Sequence, residues 1–362
     1  MRVTEFFLGF GKRLWSTQRG ETEFGIKAIP AGGYCRISGM SPREALPPEV
    51  QERAYFRAKT HQKLIVSGAG SFLHFVLGIL LLFILFSGVG VARALPVISE
   101  VVPCVPKASQ CTEADPISPA KSAGLVAGDR IVGVNGQRDL DWEDISPILR
   151  DSADKEITLI VERGESEFSI QVKLAARNIE GQERGYLGII NQYGLVRANP
   201  ISAINSSFAA TGDLIAGSVK ALVNLPAQIP SLFGQTFLGE ERNSDGLVGI
   251  VGVARATGET VSSRNLTTSE KLATFILIVA SLNIFVGIFN LLPILPLDGG
   301  HMAIAIYEGF RRQVYRLRGR AEPEEVDVEK LTPITAVVLI LLIFLTVLLL
   351  IADIFNPINL NI

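Results

Sequence analysis

Three long apolar stretches constrain this sequence more than any other feature. Residues 64–91, 272–297 and 334–352 are each mostly apolar and contain no Asp, Glu, Lys or Arg. Each reaches the length of about 18 residues that is typical of a helix crossing the hydrocarbon core of a bilayer. Composition agrees, because only 19% of the residues are charged whereas 48% are hydrophobic. The sequence therefore predicts a membrane protein.

The loop charges predict how the chain is oriented. Residues 1–63 hold eleven Lys and Arg against six acids, and five arginines follow the second apolar stretch (Arg311, Arg312, Arg316, Arg318 and Arg320). By the positive-inside rule, both regions face the cytoplasm, so residues 92–271 and the tail after residue 353 lie outside. A net charge of −2 and the lack of a basic stripe argue against a nucleic-acid partner.

The outer segment contains the pattern of a small β-rich domain at residues 97–176. The string SPAKSAGLVAGDRIVGVNG ends in Asn135-Gly136, a hairpin turn signal, and a helix-like WEDISPILRD precedes two strand-like runs. Cys104 and Cys111 lie on this outer side, where a disulfide can persist, but the sequence leaves open whether they are bridged. There is no C-x-x-C pair, which argues against a zinc-binding cysteine cluster.

Two further regions surround the spans. In ETEFGIKAIPAGGYCRISGM (21–40), two short β-like runs flank a Gly-rich segment, which predicts a hairpin, and residues 6–20 could add one or two strands. Residues 177–271 read as an amphipathic or linker region, because Pro226 and Pro230 are expected to break a spanning helix. The predicted fold class is an α+β membrane protein organised as a cytoplasmic-side β region (1–63), a span (64–91), the outer β domain (97–176), the amphipathic region (177–271), a span (272–297), a basic loop (298–333) and a span (334–353).

Asp298 is the most unusual residue of the sequence, because it follows directly on an apolar stretch in NLLPILPLDGGH (290–301). A carboxylate at membrane depth costs roughly 2.5–3.5 kcal/mol, so it normally faces a cavity, a partner or an ion. Pro293 and Pro296 each remove a backbone donor, and irregular backbone in a membrane survives only inside protein or beside water. Asn283 and Asn290 could face the same cavity. The alternative, that Asp298 caps a helix near the headgroups, stays open.

The same twelve residues resemble the N-x-x-P-x-x-P-L-D-G motif of the site-2 proteases, which are intramembrane zinc metalloproteases. FFLGFGKRLWS, PAGGYCRISGM and YFRAKTHQKLIVSGAGSF also look like the actinobacterial branch of that family. The resemblance implies Zn²⁺ as cofactor, Asp298 as one of its ligands, and a bacterial cytoplasmic membrane as the location. It also implies substrate-binding roles for Gly32, Gly33 and Tyr34 in a β-loop that presents the substrate as an extended strand, and for Asn290, Pro293 and Pro296.

AGLVAGDRIVGVNG similarly resembles the core of PDZ domains, which bind extended peptides by strand addition. The implied partners are transmembrane substrate proteins, a peptide or protein that docks on the PDZ-like domain, and the lipid bilayer. Family resemblance suggests that the substrates are membrane-anchored regulators such as anti-sigma factors.

The sequence departs from the family at its catalytic centre. It contains no H-E-x-x-H, so no catalytic glutamate is visible and Asp298 alone cannot hold a catalytic zinc ion. The three histidines are interpreted structurally: His61 as an interfacial residue, His74 as a neutral imidazole bonded to a neighbouring helix, and His301 as a hydrogen-bonded structural side chain. Family members carry H-E-x-x-H on a helix that precedes the stretch beginning here at Met1. A start codon placed too far downstream is favoured over a true loss.

Two functional hypotheses follow. The first is a zinc endopeptidase that performs regulated intramembrane proteolysis, with the 362 residues inactive on their own. The second is a non-catalytic, PDZ-containing membrane binding protein. A transporter subunit is disfavoured, because the spans lack paired broken helices.

Overall fold

A computed structural model describes residues 1–40, 44–106, 111–112, 115–179, 181–240, 242, 246–263, 266–321 and 323–357. Both helices and strands occur along the chain. In chain order they are β1 (Val3–Arg19), β2 (Thr22–Ile37), α1 (Pro48–Gln51), α2 (Thr60–Ile84), β3 (Val91–Val101), α3 (Pro119–Ser122), β4 (Arg130–Val134), β5 (Gln137–Arg138), α4 (Trp142–Arg150), β6 (Glu156–Arg163), β7 (Ser166–Lys173), β8 (Ala175–Ile179), β9 (Gln182–Tyr186), β10 (Ile189–Val196), α5 (Pro200–Phe237), α6 (Ile250–Ser262), α7 (Thr268–Asn290), α8 (Asp298–Leu317) and α9 (Thr332–Phe355).

Three helices within the described part of the chain are long and apolar enough to cross a membrane. They are Thr60–Val89, which extends α2 by a π-helical turn, α7 and α9. The mixed α and β content and the three spans are as predicted. The second span, however, ends at Asn290 and not at residue 297, and residues 298–317 form α8 where a basic loop was expected. Pro293 and Pro296 explain the early end, since proline disfavours helix at its own position and at the preceding one.

The N-terminal region folds differently from the predicted hairpin. The turn lies at Gly20–Glu21, and the Gly-rich segment at residues 30–33 continues β2 instead of reversing it. Residues Glu5 to Leu8 of β1 have register partners both in residues 23–26 and in residues 33–36 of β2. The two halves of β2 therefore flank β1, and Gly9 (φ +91°) and Gly32 (φ +110°) adopt the left-handed conformations that the bent strands require.

The described residues divide into two units, which we treat separately. The second unit, Leu85–Ile201 with Thr268–Ala273, contains a sheet of order β10-β3-β4-β6-β7, with β5 paired to β4. Its core is formed by alternating residues of the strands together with α3 and α4, including the fully buried Ile131, Val134, Ile145 and Leu159. Burial on one sheet face explains the alternating apolar pattern that predicted a β-rich domain.

The motif AGLVAGDRIVGVNG (123–136) forms β4 together with the loop before it and the turn after it. Asn135 (φ +52°) and Gly136 (φ +85°) make the predicted hairpin turn between β4 and β5. Asp129 has no exposed surface and receives hydrogen bonds from Arg163 Nε (2.6 Å) and the Val126 amide (2.9 Å). This ion pair fastens the loop before β4 to the end of β6. Cys104 and Cys111 are disulfide-bonded, which resolves the alternative that the sequence left open.

The prediction that Pro226 and Pro230 would break a helix is wrong, because α5 continues through both of them to Phe237. Each proline costs a helix about 3 kcal/mol. Beyond the prolines, Leu232 is buried in a cluster with Leu348 and Ala352 of α9. Tertiary packing of the last turns therefore outweighs the local penalty. By length and hydropathy, α5 is not among the candidate spans found in the described part of the chain.

The carboxyl end of α9 is bound to the start of α6 by a buried carboxylate, that of Asp353. Asp353 accepts hydrogen bonds from the amides of Gly249 (3.0 Å) and Gly252 (2.8 Å), the first residues around the N-terminus of α6. Its other oxygen pairs with Arg242 Nη2 at 3.0 Å, and both side chains are 2% exposed. A Cβ on Gly249 would stand 2.7 Å from the carboxylate, so GLVGIVG needs glycine at this position.

Candidate active site

Asp298 is the first residue of α8, immediately after the irregular segment 291–297. Gly299 and Gly300 are buried because this segment folds back over the helix start. A Cβ on Gly299 would stand 2.2 Å from the Leu291 carbonyl oxygen, and one on Gly300 would stand 2.6 Å from the Leu295 nitrogen. Only glycine permits such contacts, so the proline-containing turn can pack this closely against the start of α8 because both positions are glycine.

The carboxylate of Asp298 lies against α2. Its Oδ2 is 3.4 Å from the point where a Cβ on Gly70 would stand. The helices α2 and α8 run side by side in opposite directions, since Met302 lies beside Gly68 and Gly309 lies beside Thr60. Gly70 is ten residues beyond Thr60, the first residue of α2. At 1.5 Å per residue, the carboxylate is therefore about 15 Å along α2 from its start.

Two imidazoles lie within electrostatic range of Asp298: His74 of α2 and His301 of α8. The Nδ1 atom of His74 is 2.9 Å from the Oδ1 atom of Asn283 on α7. The Nδ2 atom of Asn283 donates to the Val279 carbonyl at 2.8 Å. The expectation that His74 bonds to a neighbouring helix is therefore confirmed, and its partner is one of the two asparagines that the sequence placed near the site.

A buried ion pair joins α2 and α8 nearer the start of α2. Lys63 Nζ is 2.6 Å from Glu308 Oε2, and the side chains are only 4% and 6% exposed. The second Glu308 oxygen accepts the Val326 amide at 3.0 Å. Between this pair and His301 is a cavity of about 20 Å³, also lined by Tyr55, which has room for about one water molecule. Burial raises the pKa of Tyr55. This effect outweighs the hydrogen bond between its hydroxyl and Ser67 Oγ (3.1 Å), which lowers the pKa.

The predicted substrate-binding residues fall into two places. Asn290 ends α7, and Pro293 and Pro296 belong to the turn that leads to Asp298. All three residues therefore lie just before Asp298 in the chain. Gly32, Gly33 and Tyr34 lie in β2 and contact β1: a Cβ on Gly33 would stand 2.8 Å from the Phe7 carbonyl oxygen.

Tyr34 is held firmly within that sheet. Its hydroxyl donates to Glu5 Oε2 at 2.5 Å and accepts a hydrogen bond from Lys27 Nζ at 2.7 Å. Its ring stacks with those of Phe7 and Phe10, with centroid distances of 5.8 and 6.0 Å. The backbone of β2 is therefore fixed where the resemblance places substrate contacts.

The donors near Asp298 fit zinc in type but not in number. A carboxylate and imidazoles are the oxygen and nitrogen ligands that Zn²⁺ prefers, and Gly70 leaves the space beside the carboxylate free of side-chain atoms. Within the described residues, however, no group of three His, Cys, Asp or Glu side chains is placed to hold a metal ion. The sequence likewise holds no H-E-x-x-H.

Sequence reasoning did not identify the Lys63–Glu308 pair or Ser71. Glu308 is 245 residues from Lys63, and Ser71 is buried without a hydrogen-bond partner for its hydroxyl. One signal was present, however: Lys63, Ser67, Gly70 or Ser71, and His74 recur every three or four residues, which places them on one face of α2. A polar stripe on an apolar helix normally faces other helices, not lipid.

Comparison with known proteins shows the family of this chain. The model of peptidase family M50 matches residues 1–322. The zinc metalloprotease Rip1 of Mycobacterium tuberculosis is 33% identical over an alignment of 380 residues, which covers 99% of this chain and 91% of that protein. The Rip1 proteins of Mycobacterium bovis and Mycolicibacterium smegmatis are 33% and 31% identical over the same shares of the two chains. The chain therefore belongs to peptidase family M50, the site-2 proteases.

Proposed function

We propose that this protein is an intramembrane zinc endopeptidase that cleaves membrane-anchored regulators, such as anti-sigma factors, during regulated intramembrane proteolysis. The position of Asp298 carries the proposal. Its carboxylate is about 15 Å along an apolar helix from the helix start, which is about half of a 30 Å hydrocarbon core. A carboxylate at that depth is expected to serve an ion or a substrate.

Asp298 would be one ligand of the zinc ion, and the turn containing Asn290, Pro293 and Pro296 would border the substrate. Zinc in such a site polarises a peptide carbonyl and lowers the pKa of bound water. The 362 residues supply neither the H-E-x-x-H histidines nor its glutamate, so we expect them to be inactive by themselves. What they contribute is the fixed carboxylate, the space beside Gly70, and a turn without helical geometry in which an extended substrate fits.

The N-terminal sheet would present the substrate. Many of its apolar side chains are exposed, among them Leu8 (55%), Leu14 (69%), Trp15 (57%) and Ile29 (55%), which suits a sheet embedded in the membrane surface. A helical substrate hides its carbonyls in its own hydrogen bonds, so cleavage needs an extended strand. The backbone of β2 around Gly32–Tyr34 would supply the pairing that holds such a strand.

The second unit, which contains the predicted domain at residues 97–176 and extends beyond it, would serve as a PDZ-like docking domain outside the cell. In the sheet of described strands, β10 is at one end of the order and pairs only with β3, so its other edge is open to strand addition. The Cys104–Cys111 disulfide suits an oxidising compartment. We place residues 1–63 and 298–333 on the cytoplasmic side of a bacterial membrane, following the loop charges.

The test is cleavage of a single-span reporter substrate in cells that produce the protein from its native gene. We expect the substrate to be cut within or beside its span, and Asp298→Ala to abolish cutting. Asp213→Ala, at an exposed position of α5, is the matched control and should cut normally. Undiminished cutting by Asp298→Ala would contradict the proposal. No cutting by the wild-type protein, with peptide binding to the outer unit retained, would favour the binding protein.

A further inference from the structure

We infer that an exposed apolar stripe of α5 is embedded in the outer leaflet of the lipid bilayer, so that this helix lies along the membrane surface. The stripe begins at Ile201, ends at Phe237 and includes Ile204, Phe208 and Val223. The inference uses the membrane orientation given under the proposed function but does not involve proteolysis, so each of the two can fail without the other.

The periodicity of α5 places the stripe in one straight row. From Ile201 to Phe237, an exposed residue without charge recurs at every third or fourth position, and most of these residues are apolar. The two ends are separated by about ten turns at 3.6 residues per turn, or about 54 Å. Exposure is high along the row, with 60% at Phe208 and 72% at Val223. A soluble surface rarely presents an apolar patch of this length.

The remainder of α5 has two other faces. One face is buried against protein and includes Ala203, Ser207 and Leu232. The other face is exposed and polar, lies directly beside the stripe, and includes Asn205, Asp213, Lys220 and Asn224. Asp213 and Lys220 are the only charged residues of the helix, and both lie on this polar face. Separate faces for protein, for water and for apolar material are what a helix at a bilayer interface needs.

The chain enters α5 beside the end of the first span. The amide of Ala198, two residues before the helix, donates to the Phe86 carbonyl at 2.9 Å. Phe86 lies in the last turn of the span Thr60–Val89. With residues 1–63 in the cytoplasm, this end of the span is the outer one, so α5 begins at the outer surface.

The other end of α5 lies beside the end of the third span. Leu232 packs with Leu348 and Ala352 of α9. The Asn356 side-chain amide, just after α9, donates to the Gln235 carbonyl at 2.8 Å. The end of α9 is also an outer end. Because both ends of α5 are held beside outer ends of spans, the helix runs along this surface instead of crossing the membrane.

Lipid is the occupant that covers the whole stripe. A transmembrane helix of another protein stands across the membrane and is about 10 Å wide, so it would cover only a small part of a 54 Å row of side chains. The stripe also adjoins apolar surface that belongs in a bilayer, because α9, which packs against Leu232, is a candidate span with Ile354 and Phe355 exposed at the same end.

The experiment compares neighbouring positions on the stripe and on the polar face, in the full chain reconstituted into vesicles of phosphatidylethanolamine and phosphatidylglycerol. Cys35→Ser removes the free cysteine of the chain and leaves the disulfide intact. An environment-sensitive fluorophore is then attached at Ile204→Cys or Val223→Cys, and at the matched neighbours Asn205→Cys or Asn224→Cys. Ile343→Cys, at an exposed position of α9, is the control for a label in lipid.

Two quenchers read out the location of each label: a nitroxide on the lipid chains and iodide in the water. We expect the lipid nitroxide to remove most of the emission at Ile204→Cys and Val223→Cys, as at Ile343→Cys, and iodide to remove little. The reverse is expected at Asn205→Cys and Asn224→Cys. Circular dichroism checks that each labelled chain is folded.

Three results would overturn the inference. Strong iodide quenching at Ile204→Cys and Val223→Cys would place the stripe in water. Protection of these labels from both quenchers would mean that protein covers the stripe. Equal lipid quenching on the stripe and on the polar face would mean that the whole helix is inside the hydrocarbon core. A chain that cuts its reporter with the stripe in water loses only this inference, and a chain with the stripe in lipid that cuts nothing loses only the proposed function.

Discussion

Lys63 of α2 and Glu308 of α8 form a buried ion pair, with Nζ 2.6 Å from Oε2. The pair fixes the position of one helix along the other at a point ten residues after Asp298. Further along the same two helices, Asp298 of α8 lies beside Gly70 of α2. The depth of the candidate metal ligand therefore depends on an ion pair that joins residues 245 apart in sequence.

Replacing one member of this pair should destabilise the protein more than replacing both members. Lys63→Met leaves a buried carboxylate with one partner fewer, and such changes cost about 3–5 kcal/mol. Lys63→Met with Glu308→Leu leaves no unpaired charge, and we expect it to recover most of that loss. Thermal unfolding of the purified protein in detergent measures both variants. A double variant as unstable as the sum of the single variants would show that the pair acts through something other than its charges.

The space beside Gly70 should matter for the metal site and little for folding. An alanine Cβ would stand 3.4 Å from Asp298 Oδ2, an ordinary van der Waals contact, so Gly70→Ala should bind zinc nearly as wild type does. Gly70→Leu places further carbon atoms against the carboxylate and should weaken zinc binding at least tenfold. Zinc titration in detergent distinguishes the two. Equal affinities would mean that the metal approaches Asp298 from another side.

Asp353, paired with Arg242, should hold the start of α6 in place. Asp353→Leu leaves Arg242 buried and removes the acceptor of the Gly249 and Gly252 amides, so we expect a loss of about 3–5 kcal/mol. Gly249→Ala should also be destabilising, because its Cβ would stand 2.7 Å from the carboxylate. Gly258→Ala is the control, since a Cβ there meets no atom within 4 Å. Hydrogen exchange of α6 in the full-length protein reports the effect, and unaltered protection in both variants would contradict it.

The second unit should lose stability in acid because of Asp129. Burial raises the pKa of its carboxyl, but the bonds from Arg163 and the Val126 amide more than offset this and hold the pKa below its ordinary value. A depressed folded-state pKa gives stability that is complete above the unfolded value of about 3.9 and is lost as the pH falls through the folded value. Asp129→Asn should therefore be destabilising at neutral pH and much less so in strong acid.

Fluorescence offers a way to measure this. Trp142 packs against the core of the second unit, and Trp15→Phe removes the only other tryptophan. Denaturant unfolding followed by Trp142 should show a stability difference between chains with and without the Asp129→Asn substitution, and this difference should shrink below about pH 4. A difference that is independent of pH would mean that the carboxylate charge is not what stabilises the loop.

Features set by local chemistry were predictable from the sequence. Apolar length predicted three spans, Asn135-Gly136 predicted its turn, and the prolines predicted the irregular backbone before Asp298. Gly299 and Gly300, which were expected to loosen the chain beyond Asp298, instead lie in the first turn of α8. A histidine inside a span predicted a bond to another helix, because a polar group in lipid needs a partner.

Features that depend on contacts between distant segments were not predictable. Pro226 and Pro230 predicted a break, but the packing of Leu232 against α9 keeps α5 continuous. The Gly-rich segment of β2 predicted a turn, but pairing with β1 extends the strand through it. The partners of Lys63 and Asp353 lie 245 and 111 residues away, beyond any local pattern.

The zinc content of the protein purified from its native membrane tests the central claim most directly. We predict about one zinc ion per chain in the wild-type protein and in the Asp213→Ala control, and a loss of most of the zinc in Asp298→Ala, because this carboxylate is a ligand. Asp298→Ala protein that is folded and retains the full zinc content would contradict the assignment of Asp298 to the metal site.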